Sequence, residues 1–247
     1  ASRGLGDVYK RQLYTMGKTL QEIKSELDIS QTTAYRILNT LVRLGYLIYN
    51  EDTKHYKLSR KLLTLGFRSL NEHNLLEIVL PHLRNLRDQV KETACFGVLG
   101  DQKGIFIEQA QGHHTFRFVL SPGKPFELHC SAPGKAIMAY LPNTVRDYYL
   151  AQMEFTRYNA RTITTPEAYM EELEKVRRQG YAMDNEEELS GVVCVGTPIF
   201  NYTSYPCGAI WISGPKDRLS KEVIRQSVEY IKDTAQCISR ELGYSHI

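Results

Sequence analysis

Leu20, Ile23 and Leu27 recur at three- and four-residue spacing, and beyond the short break "DIS" the residues Ala34, Ile37, Leu38, Leu41 and Leu44 do so again. Apolar positions at that interval gather on one side of a helix, so the pattern predicts two consecutive amphipathic helices. Thr19, with Glu22 three residues on, has the form of a capping box before the first; Ser30 stands as the N-cap of the second and Gly45 as its stop. The runs "YLIY" and "HYKL" then alternate on either side of the polar stretch "NEDTK", the pattern of a β-hairpin.

Helical spacing returns in "RKLLTLGFRSLNEH" and again in the next segment, where Leu76, Val79, Leu80, Leu83, Leu86 and Val90 trace one face and Pro81 marks a kink or a restart. Beyond it, "TACFGVLG", "GIFIEQAQ", "TFRFVLSP", "GVVCVGTPIF" and "CGAIWISG" have the composition of strands. Helical patterns interrupt them at "APGKAIMAYL", "TPEAYMEELEKVRRQG" and "SKEVIRQSVEYIKDTAQCISREL". This order predicts an α+β chain of two domains, the second built on a mainly antiparallel sheet and not on regular βαβ alternation. The expected boundaries are 13–58 for the first domain, 59–73 for a linker helix and 74–247 for the second domain. Upstream, "ASRGLGDVYKRQLYTMGK" has two early glycines and only Val8, Leu13, Tyr14 and Met16 as packing candidates. Residues 1–12 read as a truncated helix, as a non-native or disordered junction, or as a basic arm carrying Arg3, Lys10 and Arg11.

Composition narrows the class. A chain of 247 residues with 42% hydrophobic and 24% charged content fits a soluble two-domain protein. No apolar run approaches the ~20 residues of a membrane span and the N-terminus lacks an apolar secretory core, so a cytoplasmic protein without membrane contact is expected. The five cysteines are scattered and form no C-x-x-C pair, which points to reduced thiols and neither a disulfide frame nor a zinc site. A net charge of +3, from 31 basic and 28 acidic residues, leaves nucleic-acid binding to local charge placement.

That placement is informative on the second helix. Its polar face carries Gln31, Thr32, Thr33, Arg36, Asn39, Thr40 and Arg43, all donors or hydroxyls, with no carboxylate to repel phosphate. Helix, turn, helix and hairpin in this order make a winged helix-turn-helix, which lays its second helix in the major groove and its wing on the backbone. The candidate DNA-contacting residues are Gln31, Thr32, Thr33, Tyr35, Arg36 and Asn39, with Lys54 and Lys57, beside His55, on a wing whose Glu51 and Asp52 oppose binding. The alternatives are a protein-interaction domain of the same fold and, for the whole chain, an interaction or ligand-sensing module whose DNA binding is impaired by a truncated first helix.

"SAPGKAIMAYLP" sets a Gly-Lys pair at a loop-to-helix junction but lacks the spacing of a phosphate-binding nucleotide loop. A helix start there still offers unpaired N–H groups to a small anion, with the Lys135 side chain running along the helix surface. Catalysis is not expected. His129 and Cys130, as strand neighbours, would face opposite ways, and the "HH" pair at 113 and 114 lacks sequence-local partners for a metal.

"YRILNTLVRLGYL", "LHCSAPGKAIMAYLP" and "QGYAMDNEEELSGVVCVGTPIF", closing in "ISGP", together resemble the IclR family of bacterial transcription regulators from about Leu13 to the C-terminus. The resemblance implies a winged-helix DNA reader joined by a helix to a GAF-like effector domain, without a cofactor. It also implies homodimers or homotetramers on a palindromic double-stranded DNA operator, with repression the expected sign. The implied effector is a small carboxylic or sugar-derived acid, held by Ala132, Pro133, Gly134, Asp184, Cys194, Trp211 and Ser213 between the helix start after the "LH" strand and the sheet. Trp211 and Ser213, two apart in a strand, share a face. Pro133 removes an N–H donor and Trp211 takes volume where a small hydroxyl residue is common in the family, so a smaller or flatter effector is expected.

Overall fold

The structure, a computed structural model, describes residues 17–62, 64–65 and 75–245. It divides into two compact units, Ala1–Glu72 and His73–Ile247. In the first unit, strand β1 (Lys18–Thr19) leads into helix α1 (Leu20–Leu27), then α2 (Gln31–Arg43) and the hairpin β2 (Leu47–Asn50) and β3 (His55–Leu58). The capping box forms as the sequence predicts. The Thr19 hydroxyl accepts from Glu22 N at 3.3 Å, and the Glu22 carboxylate accepts from Thr19 N at 2.7 Å. Ser30 caps α2 by accepting from Thr33 N at 3.2 Å, and Gly45 takes a φ of +75° just past its end.

Two features differ from expectation. The hairpin gains a third strand, because Lys18 and Thr19 pair with Tyr56 and His55 to give the order β1-β3-β2. Gly17 permits this approach with a φ of +79°, where a Cβ would fall 2.5 Å from Tyr56 O. The apolar stripe of α2 is also narrower than predicted. Ala34 and Leu38 are buried, whereas Ile37 and Leu44 on its flank are about half exposed, at 49% and 48%. The expected first helix lies outside the described residues, as does most of the expected linker helix.

The second unit opens with α3 (Leu75–Val90), which runs through Pro81 without a break and buries Leu75, Val79, Leu83 and Leu86. Six strands follow as an antiparallel sheet in the order β6-β5-β4-β9-β8-β7. They are β4 (Thr93–Leu99), β5 (Gly104–Ala110), β6 (Pro125–Phe126), β7 (Ala182–Asn185), β8 (Val192–Phe200) and β9 (Pro206–Pro215). Helices α4 (Ala132–Tyr140), α5 (Asn143–Gln152) and α6 (Pro166–Gln179) come between β6 and β7, and α7 (Lys221–Glu241) ends the unit. Strand alternation assigns the faces. Ile210 and Ile212 of β9 join α3 and α7 in one core, while Ala209 joins α4 and α6 in another and Trp211 packs with Cys95 and Phe106 in a third cluster.

Two predicted strands are absent from the described residues. "TFRFVLSP" is an irregular segment whose backbone groups bond to side chains: Phe118 O accepts from the Thr93 hydroxyl at 2.9 Å, and the Gln109 amide exchanges bonds of 2.9 and 3.2 Å with Leu120. The "LH" segment is a turn leading straight into α4, so the strand argument that separated His129 from Cys130 does not apply. β6, β7 and α5 were not anticipated.

Candidate functional sites

The exposed face of α2 collects Gln31, Thr32, Thr33, Tyr35, Arg36 and Asn39, all solvent-facing. The first turn of the helix contains no acid. Among the described residues, Gln31, Arg36 and Asn39 have no side-chain hydrogen bond or ion pair, so their donors are uncommitted. Thr33 differs, since its hydroxyl lies 2.8 Å from that of Ser30, and Thr40 returns its own hydroxyl to Arg36 O at 2.8 Å. On the wing, Asn50 accepts from Thr53 N at 2.8 Å to close the turn, Lys54 takes a φ of +57°, and Lys54 and Lys57 are exposed. His55 turns its Nδ1 toward Thr53 O within the same turn. Lys61 caps the far end of α2 through Leu44 O at 2.7 Å, a contact the sequence reading did not anticipate.

In the second unit, a cavity of about 150 Å³ lies between the start of α4 and the sheet. Six of the seven residues expected at an effector site line it: Ala132, Pro133, Asp184, Cys194, Trp211 and Ser213. Gly134 does not. It is tucked beneath the turn before α4, where a Cβ would come within 2.6 Å of Glu127 O, so it sets the approach of the helix and does not face the cavity. Sequence reasoning missed the aromatic wall of Phe106, Phe118 and Phe126, and Lys124 and Glu188 beside it. Phe118 was hidden because its segment reads as a strand. Trp211 meets Phe106 and Phe126 edge-on, with ring centroids 6.0 and 5.6 Å apart. Glycines clear its space: a Cβ on Gly196 would stand 3.0 Å from Trp211 Cβ, and one on Gly97 3.2 Å from its ring.

The first turn of α4 is nearly spent. Ser131 accepts from Gly134 N at 3.1 Å, Lys135 N bonds to Ser131 O at 3.1 Å, and Pro133 has no N–H. Ala132 N–H is left as the donor without a partner among the described residues. Lys135 corrects the surface placement expected of it. Its side chain is fully buried, with Nζ 2.6 Å from Glu187 and 3.8 Å from Glu172, so the nearest anion to this lysine is a carboxylate of the protein itself. Burial still raises the Glu187 pKa above the ordinary glutamate range, and its second oxygen has no partner.

The stretch "DNEEE" is partly buried. Glu186 and Glu187 are buried, and Glu186 binds Arg161 and Lys216. Asp184, 4% exposed, accepts from Glu187 N at 2.7 Å, and burial pushes its carboxyl up to about 7. The Cys194 thiol, 3.1 Å from the Ser213 hydroxyl, is also raised by burial and is a poor nucleophile. Elsewhere the fold brings carboxylates to the histidine pair, His113 to Asp88 at 2.7 Å and His114 to Glu92 at 3.7 Å. His129 is buried, with Nε2 3.1 Å from Thr156 O.

Comparison with known proteins decides the class. Residues 67–240 match the family described as bacterial transcriptional regulator IclR C-terminal, and residues 15–51 match the IclR helix-turn-helix domain. The chain belongs to the IclR family. It is 32% identical over 223 residues to the HTH-type transcriptional regulator BhcR of Paracoccus denitrificans (strain Pd 1222), covering 90% of this chain and 80% of that one. It is 31% identical over 248 residues to the DNA-binding transcriptional repressor YiaJ of Escherichia coli (strain K12), covering 98% and 87%. Among solved structures, the Thermotoga maritima IclR matches with a TM-score of 0.69 and 32% identity over 92% of this chain and 91% of that one. As an IclR-family member the protein is a DNA-binding transcriptional regulator and not an enzyme, and the exposed, carboxylate-free face of α2 belongs to its helix-turn-helix. Among the described residues no helix is long and apolar enough to cross a membrane.

Proposed function

We propose that this regulator is a repressor whose hold on its operator is set by a small metabolite bound in the cavity between α4, β8 and β9. The observation that carries the reading is the convergence of Ala132, Asp184, Cys194, Trp211 and Ser213, drawn from four separate segments, on one cavity. At about 150 Å³ this space is roughly half of the ~300 Å³ at the small end of ligand sites, which favours a compact effector. A carboxylic acid is the effector class, since Ala132 N–H at the positive end of α4 is a ready partner for one carboxylate oxygen. Repression as the sign is supported by the relative from Escherichia coli that is named a repressor.

On the operator side, Arg36 and Asn39 reach base edges, Gln31, Thr32 and Tyr35 hold the adjacent phosphates or sugars, and Lys54 and Lys57 hold the backbone from the wing. Thr33 contributes through its backbone, its hydroxyl being shared with Ser30. Pairs of heads on a palindrome require a homodimer or homotetramer. The test is selection of random duplexes by the purified protein, followed by titration of the winning sequence with Arg36→Ala. The expected loss is about 1–3 kcal/mol with relaxed preference at the contacted base. An unselective pool, or an unchanged affinity for the variant, contradicts the reading.

A further inference from the structure

Among the charges around the cavity, several are already matched. Lys135 is committed to Glu187 and Glu172, and Glu186 to Arg161 and Lys216. Asp184 is different: it is 4% exposed, lines the cavity, and has no ion-pair partner among the described residues. One of its oxygens accepts from Glu187 N, and the other has no hydrogen-bond partner among the described residues. Glu188, an exposed residue, adds a second carboxylate to the lining, and Lys124, which lines the same space, is the charge that most favours its ionised form. Trp211, Phe106, Phe118 and Phe126 supply the walls. A cavity that combines a buried carboxylate with aromatic walls attracts an ammonium group, through both the charge and the ring quadrupoles. A carboxylate without an ammonium would bring like charge toward Asp184 and Glu188, and could be accepted only if a proton were taken up as well.

Resting on the reading of this cavity as the effector site, we propose that its ligand is a small zwitterion, an amino acid or a betaine. The ammonium group sits against Asp184 between the aromatic walls, and the carboxylate faces Ala132 N–H. Asp184 supplies the negative charge from the buried side and Ala132 N–H the positive end of α4, matching one small molecule with both charges. Because burial raises the Asp184 carboxyl to about 7, with Glu187 and Glu188 adding to that and Lys135 opposing it, a bound ammonium group expels a proton near neutral pH. A plain acid does the reverse.

Trp211 is the single tryptophan of the chain, so tryptophan emission reports this cavity alone. The full chain is titrated with glycine, L-alanine, L-valine and glycine betaine, and in parallel with propionate and lactate. Calorimetry in two buffers of different ionisation enthalpy counts the protons. The expected result is that at least one zwitterion binds roughly ten-fold or more tightly than either plain acid, with proton release, and that Asp184→Asn abolishes the preference. Should that variant fail to fold, the wild-type preference and the sign of the proton count decide the matter. If propionate or lactate binds as well as every zwitterion and takes up a proton, the ligand is a plain acid; the proposal falls and the effector cavity stands. If none of the six changes Trp211 emission, both fall.

Discussion

Asp184 and Lys135 show how a buried charge in this fold can be tested without knowing the ligand. The Asp184 carboxyl is raised by burial from 3.8 to about 7. Below about pH 4 both folded and unfolded chains hold this proton. Between there and about pH 7 the unfolded chain ionises while the folded one does not, so the folded state binds more protons and stability falls as pH rises; above that window the penalty is constant. Asp184→Asn keeps the acceptor for Glu187 N and removes the penalty. Its melting temperature should match the wild type near pH 4 and exceed it at pH 8, and equal temperatures at both would show that Asp184 carries no such burden. Lys135→Met acts the other way, leaving Glu187 buried without its cation, at an expected cost of about 3–5 kcal/mol in denaturant unfolding. A loss within ~0.5 kcal/mol would mean that Glu187 is solvated or neutral in the native state. The place of Asp184 beside the cavity was legible in its sequence motif. The role of Lys135 was not, because its partners lie 37 and 52 positions away in the chain, on α6 and just beyond β7.

Elements were legible wherever their hydrogen bonds are local. α1 and α2 begin at Thr19 and Ser30 as the caps announce, and α4, α6 and α7 follow their helical spacing. Segment 115–122 misled because its alternation of Phe116, Phe118 and Leu120 suits a strand, yet its backbone is satisfied by Thr93 and Gln109 from neighbouring strands and by Arg218, which donates to Phe116 O at 3.1 Å. Arg218 also forks onto the buried Glu92 carboxylate, with one arm at 2.8 Å. β7 escaped notice because Asp184 and Asn185 are poor strand residues, tolerated through pairing with Cys194 and Val193. Arg218→Ala should therefore loosen segment 115–122 specifically. Amide exchange there should accelerate while that of β8 and β9 stays slow, and unchanged exchange in the segment would show that Thr93 and Gln109 hold it unaided.

For the whole molecule, the two-unit division and the regulator class follow from short patterns repeated in the right order, a head with caps and wing and then the segments around α4 and β8. Regulation requires that the effector and operator sites share one equilibrium, so a ligand that weakens operator binding must itself bind less tightly to the operator-bound protein by the same factor. The central claim is simpler, that α2 reads DNA. Its most direct test is a fluorescence-anisotropy titration of the purified chain against DNA upstream of its own and neighbouring genes, at several salt concentrations. Tight binding to one sequence over random DNA is expected, weakening steeply as salt rises and the release of phosphate-bound counterions becomes less favourable. Binding no stronger than to random DNA at every salt concentration would contradict it and leave the ligand cavity as the protein's working part.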